Sequence, residues 1–128
     1  MKRILLLNLC LLCVVCSFAQ QSVKEKIYSA YNAHFSNIDI AKDIIATIDE
    51  SIVATLPDSS RFDYHYVCAG IAYSTNYNEG MIHNLLEVKR LCEASIGIRE
   101  VVYLEIMYSL ASAYEDKGDF DNALAIYQ

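Results

Sequence analysis

The sequence predicts an all-α protein made of three successive helix pairs, the last one incomplete. Three observations predict it. Apolar residues recur at three- and four-residue steps nearly throughout the chain after residue 20, the spacing of a helix that buries one face. Proline occurs once, at Pro57, and glycine four times, and all of these except Gly70 fall at or near a proposed boundary. The stretch Met107 to Tyr127 has weaker counterparts upstream, which is the mark of a repeat.

The first nineteen residues stand apart from that pattern. Lys2 and Arg3 precede an apolar block from Ile4 to Val15, followed by small residues at Ser17 and Ala19. That order is expected of a secretory signal peptide over 1–19, cleaved after Ala19. The block is shorter than the roughly 20 apolar residues a membrane span requires. Leu9, Leu12 and Val15 precede the leader cysteines, where a lipid-attachment signal would place a small residue, so lipidation is not expected.

The expected repeat domain, 20–128, divides into units of about 22–57, 58–97 and 98–128. Ser22-Val-Lys-Glu25 has the form of a capping box and predicts a first helix from Ser22 to about Phe35. Ser36-Asn37 starts a second, with one apolar stripe running from Ala41 through Ile48 to Leu56, where Pro57 ends it. Asp58-Ser59-Ser60 supplies the next cap, with Ser60-Arg-Phe-Asp63 as a weaker box. The third helix then carries Tyr64, Val67, Cys68 and Ile71 on one face to about Thr75. Asn76-Tyr-Asn-Glu79 reads as the start of the fourth, which shows Met81, Ile82, Leu85, Val88 and Cys92 and ends near Gly97. The fifth covers roughly Arg99 to Lys117. Gly118 stops it, Asp119 caps the next, and the sixth is cut off at Gln128.

Met107, Leu110, Ala111, Tyr114, Phe120, Ala123 and Tyr127 alternate large and small residues in a pattern that resembles the tetratricopeptide repeat. Set back by 43, the same positions hold Tyr64, Val67, Cys68, Ile71, Tyr77 and Gly80. A further 39 places Ala41 beneath Gly80. These spacings exceed the usual repeat of about 34 residues and resemble the extended repeats of kinesin light chains, with Ile96 to Glu100 as the longer connection. The resemblance implies a right-handed α-α superhelix. It puts Ala123 and Gly80 where backbones approach, and Tyr28, Tyr64, Tyr77, Tyr114 and Tyr127 in the core.

Chemistry-bearing motifs are missing. His34, His65 and His83 are scattered, no phosphate-binding glycine loop or nucleophile elbow occurs, and Asp119 reads as a cap. No enzyme activity, cofactor or metal is expected. Cleavage of the leader would take Lys2 and Arg3, leaving eight basic residues against sixteen acids and a net charge of −8 in place of −6. That surface repels phosphate backbones and anionic membranes, so neither nucleic acid nor a membrane is expected as partner of the mature chain. Cys68 and Cys92 lie in apolar helical runs and read as buried thiols rather than a disulfide.

What remains is a docking surface for a protein or peptide. The family's groove positions fall on Lys26 and His34 in the first unit, and on His65, Ala69 and Tyr73 in the second. In the third they fall on Glu105, Tyr108, Ser112, Glu115 and Asp116. The family's basic clamp for a terminal carboxylate is absent, and the acids favour a basic or tyrosine-compatible peptide. The expected function is therefore an exported interaction scaffold, periplasmic or extracellular. The alternative is the periplasmic sensor region of a membrane-bound transcriptional regulator or kinase. Self-association through the incomplete last helix is a further expectation.

Overall fold

In a computed structural model, residues 2–94 and 100–128 are described, and every regular element among them is a helix. In chain order these are α1 (Lys2–His34), α2 (Ile38–Ile45), α3 (Glu50–Val53), α4 (Asp58–Ser74), α5 (Asn78–Ala94), α6 (Glu100–Asp116) and α7 (Phe120–Tyr127). The expected features at Gly97, at Arg99 and in Ile96 to Arg99 lie outside the described residues.

The first helix does not begin at Ser22. α1 runs through that position without a break, and Glu25 accepts from Gln21 Nε2 at 3.0 Å instead of closing a box. No proline or glycine separates the apolar block from Gln20 and Gln21, so a helix once nucleated propagates across the junction. The two halves differ in packing. Leu11, Leu12, Val14, Val15 and Phe18 are exposed, whereas Val23, Ile27 and Ala30 are buried. Between the two halves, the Gln20 amide donates to Thr55 Oγ1 at 3.0 Å.

The second helix is not continuous either. Asn37 caps α2 as expected, its side chain accepting from the Asp39 and Ile40 amides. The helix then stops at Ala46. Thr47 Oγ1 bonds back to the Ile44 carbonyl at 2.8 Å, and Asp49 restarts the chain as the N-cap of α3, accepting from Ser51. Threonine and aspartate side chains compete with the backbone in this way, which disfavours them inside helices. The apolar stripe survives the break: Ile45, Ile48 and Ile52 still pack on the cluster of Val23, Ile27, Val53, Leu56 and Tyr64.

α4 starts two residues before the Ser60 box, with Pro57 at its N-cap and no side-chain cap. Asp58 sits in the first turn, where its charge suits the helix dipole, and pairs with Arg61 at 3.2 Å. Its far end is a left-handed stop at Asn76 (φ +54°): the Asn76 amide bonds to the Tyr73 carbonyl and the Tyr77 amide to the Ala72 carbonyl. Asn76 therefore ends α4 and does not cap α5. Gly118 (φ +79°) closes α6 with the same two bonds, from Gly118 to Glu115 and from Asp119 to Tyr114. Asp119 then caps α7 through the Asn122 amide.

These two matching turns lie 42 residues apart, one residue less than the spacing inferred from side-chain size. One residue is a rotation of about 100° on a helix, and it changes which positions correspond. Ala41, Ala111 and Ala123 are buried, as small residues at helix crossings should be. Gly80 is not their equivalent. A side chain there would meet the ring of Tyr77 in its own turn, not a neighbouring backbone. Tyr28, Tyr77 and Tyr127 are exposed, against expectation, and Tyr64 alone of the predicted core tyrosines is buried.

Among the described residues each hairpin packs on its neighbours along the chain. α1 packs on α2, α3 and α4; α4 also packs on α2, α3 and α5; α5 packs on α6, and α6 on α7. α4 belongs to all three cores. Tyr64 joins the first, Val67 packs with Ala30 and Ala41, and Ala69 packs with Ile82, Leu85, Ile106 and Leu110. Cys68 and Cys92 are free thiols in these layers. Among the described residues no helix is long and apolar enough to cross a membrane.

Candidate partner-binding face

α1, α4 and α6 place one face each on a common side. On α4, Phe62, Asp63, Tyr66, Gly70 and Tyr73 follow one another at helical steps. Phe62 and Tyr66 stack with centroids 5.9 Å apart and planes 12° from parallel. Tyr31 of α1 approaches Tyr66 at 6.1 Å and meets Phe35 edge-on at 5.2 Å. The result is a half-buried aromatic layer spanning two hairpins, with Phe35 and Tyr73 exposed at its margin.

His34 locks the layer to the fold. Its ring lies against Gly70, where a Cβ would collide with it, and makes edge contacts with Phe35 at 5.1 Å and Tyr66 at 5.9 Å. Its Nδ1 is buried without a hydrogen-bond partner, and burial holds the imidazole below its ordinary pKa. The His34 ring thus fills the space that a side chain at position 70 would occupy.

Two carboxylates border the aromatics. Asp63 is half-buried, and burial raises its pKa. The Tyr31 phenol is raised first by burial and then by Asp63; that of Tyr66 is raised by burial, then by Glu105 of α6 and by Tyr31. The described ion pairs engage Asp58, Glu79, Glu87 and Glu93, and none involves Asp63 or Glu105. From Glu105 the same face of α6 continues through Tyr108, Ser112 and Glu115 at three- and four-residue steps. Burial, Glu115 and Tyr108 together raise the Tyr127 phenol, which puts the far end of that face beside α7.

Of the positions singled out in the sequence, Tyr73, Glu105, Tyr108 and Glu115 lie on this side and are exposed. Lys26 does not: its ammonium donates to the Thr47 carbonyl at 3.2 Å, tying α1 to the end of α2. His65 turns to α5, with Nδ1 2.9 Å from Asn84 Oδ1. Ala69 is core, against Ile106 and Ile82. The single-residue error in the repeat offset accounts for both α4 misplacements. At an offset of 42, Glu105, Tyr108, Ser112 and Glu115 correspond to Asp63, Tyr66, Gly70 and Tyr73, the residues found on the face. Tyr31, Phe35 and Phe62 were missed; the matching turns at Asn76 and Gly118 set the register of α4 against α6 and leave that of α1 open.

Among the described residues, no three His, Cys, Asp or Glu side chains are placed to hold a metal ion. Comparison with known proteins finds no family model, no curated protein and no solved structure that matches the chain.

Proposed function

We propose that the chain is an exported, non-enzymatic docking module, tetratricopeptide-like in its superhelix, whose face across α1, α4 and α6 takes an extended, positively charged segment of a partner protein. The observation that carries the reading is the pairing of a half-buried aromatic layer, Tyr31, Phe62 and Tyr66, with two carboxylates that no cation neutralises among the described residues. A lysine or arginine laid on that layer gains attraction from the ring faces and from both acids. Hairpins that, among the described residues, meet only their chain neighbours support the solenoid part of the proposal. Export is supported by the contrast within α1, where Leu11, Leu12, Val14, Val15 and Phe18 are exposed and Val23, Ile27 and Ala30, beyond the proposed cleavage point, are buried.

Selection of random peptides displayed against the purified chain tests the reading. The expected outcome is enrichment of lysine and arginine, with Tyr66→Ala and Glu105→Lys each weakening a selected peptide about tenfold. Enrichment of acidic peptides, or equal binding by both variants, would overturn the assignment of the face. A substrate turned over by the purified chain would overturn the non-enzymatic part.

A further inference from the structure

The far side of α4 carries a second arrangement that peptide docking does not use. Arg61, Tyr64, His65 and Cys68 stand at i, i+3, i+4 and i+7 and form the floor of a cleft of about 560 Å³. α3 makes one wall and α5 the other. The volume is that of a small-molecule site.

The two walls carry opposite chemistry. On the α5 side, Glu87 holds two guanidiniums: Arg90 donates through Nε at 2.9 Å and Nη2 at 2.6 Å, and Arg61 through Nη2 at 3.0 Å. Arg90 Nη1 has no partner among the described residues, so the clamp still offers donors. On the α3 side, Glu50 accepts from the Tyr64 hydroxyl at 3.1 Å and pairs with no cation among the described residues. Between them stands His65. The Asn84 amide nitrogen is committed to the Gly80 carbonyl at 2.8 Å, so Asn84 Oδ1 accepts and His65 Nδ1 carries the proton. In the neutral ring the other nitrogen, Nε2, is an acceptor. Val53 and Leu86 add apolar surface.

We propose that this cleft binds a small zwitterion, a free amino acid or short peptide, with its carboxylate on Arg90 and Arg61 and its ammonium on Glu50 and His65 Nε2. An anion alone would face Glu50, and a cation alone would face the guanidiniums. Only a ligand with both charges uses both walls.

Isothermal titration with L-alanyl-L-leucine, its N-acetyl derivative and its C-terminal amide tests the proposal. The free dipeptide should bind at one site, and each capped analogue about tenfold more weakly, the loss of one charge-assisted contact. Glu50→Gln should weaken the dipeptide and the amide but leave the N-acetyl derivative unchanged; Arg90→Gln should weaken the dipeptide and the N-acetyl derivative but not the amide. Both residues lie at the surface, and circular dichroism checks that each variant folds. Absence of dipeptide binding, or equal binding of all three compounds, would overturn the proposal without touching the docking face.

Discussion

Replacing Gly70 with alanine should reverse the usual sign of that change. In an exposed helix interior, Gly→Ala stabilises by about 1 kcal/mol, because alanine loses less backbone freedom on folding. At Gly70 the added methyl runs into the His34 ring, which is held between Phe35 and Tyr66 and has little room to retreat. Overpacking of this kind costs about 1–3 kcal/mol. The balance is a net loss of roughly 1 kcal/mol, a few degrees in Tm. The cause can be isolated. In a His34→Ala background the ring is gone, and Gly70→Ala should then stabilise by about 1 kcal/mol, giving a coupling energy of about 1–3 kcal/mol between the two sites. Urea denaturation of the four proteins, followed by far-ultraviolet circular dichroism, measures each term. If Gly70→Ala stabilises the protein with His34 in place, the ring is not seated where the argument requires.

Acidification should loosen the same contact. The folded pKa of His34 lies below its unfolded value of about 6.5, so the neutral ring contributes its full stability above that pH and loses it as the pH falls toward the folded value. Urea midpoints at about pH 7.5 and 5.5 should differ more for the natural protein than for His34→Gln. Glu87 behaves oppositely: hydrogen bonding to Arg90, with Arg61 and His65 nearby, pulls its carboxyl down to about 2. Its stabilisation holds above the unfolded value of about 4.3 and is lost as pH falls through the folded one. Glu87→Gln should cost about 1–2 kcal/mol at neutral pH, read as a lower urea midpoint. Ala123→Leu should cost about 1–3 kcal/mol in a thermal melt, because Ala123 is 2% exposed and has no room to grow.

Helix content and most boundaries were legible because they rest on local signals. Asn37, Pro57, Thr75, Gly118 and Asp119 all stand at the expected ends. The break after Ala46 was legible in principle, since Thr47 and Asp49 interrupt an apolar stripe, but the stripe's periodicity is unchanged by the break and masked it. The continuity of α1 was not legible, because a capping box shows where a helix can start and not whether one is already running. The candidate face was half legible. Its third-helix-pair residues were found directly, whereas those on α4 depended on an offset judged by side-chain size, and size alone does not distinguish 42 from 43. Backbone geometry does: Asn76 and Gly118 adopt the same left-handed turn, and counting between them restores Asp63, Tyr66 and Tyr73 to one face.

Amide chemical-shift mapping with a lysine- and arginine-rich peptide, in the isotope-labelled protein, shows whether the face across α1, α4 and α6 takes a cationic segment. Shifts should concentrate at Tyr31, Asp63, Tyr66, Tyr73 and Glu105, with the residues around Lys26 and Glu87 unmoved. Shifts confined to the Lys26 or Glu87 surfaces, or none at saturating peptide, would contradict the assignment of that face.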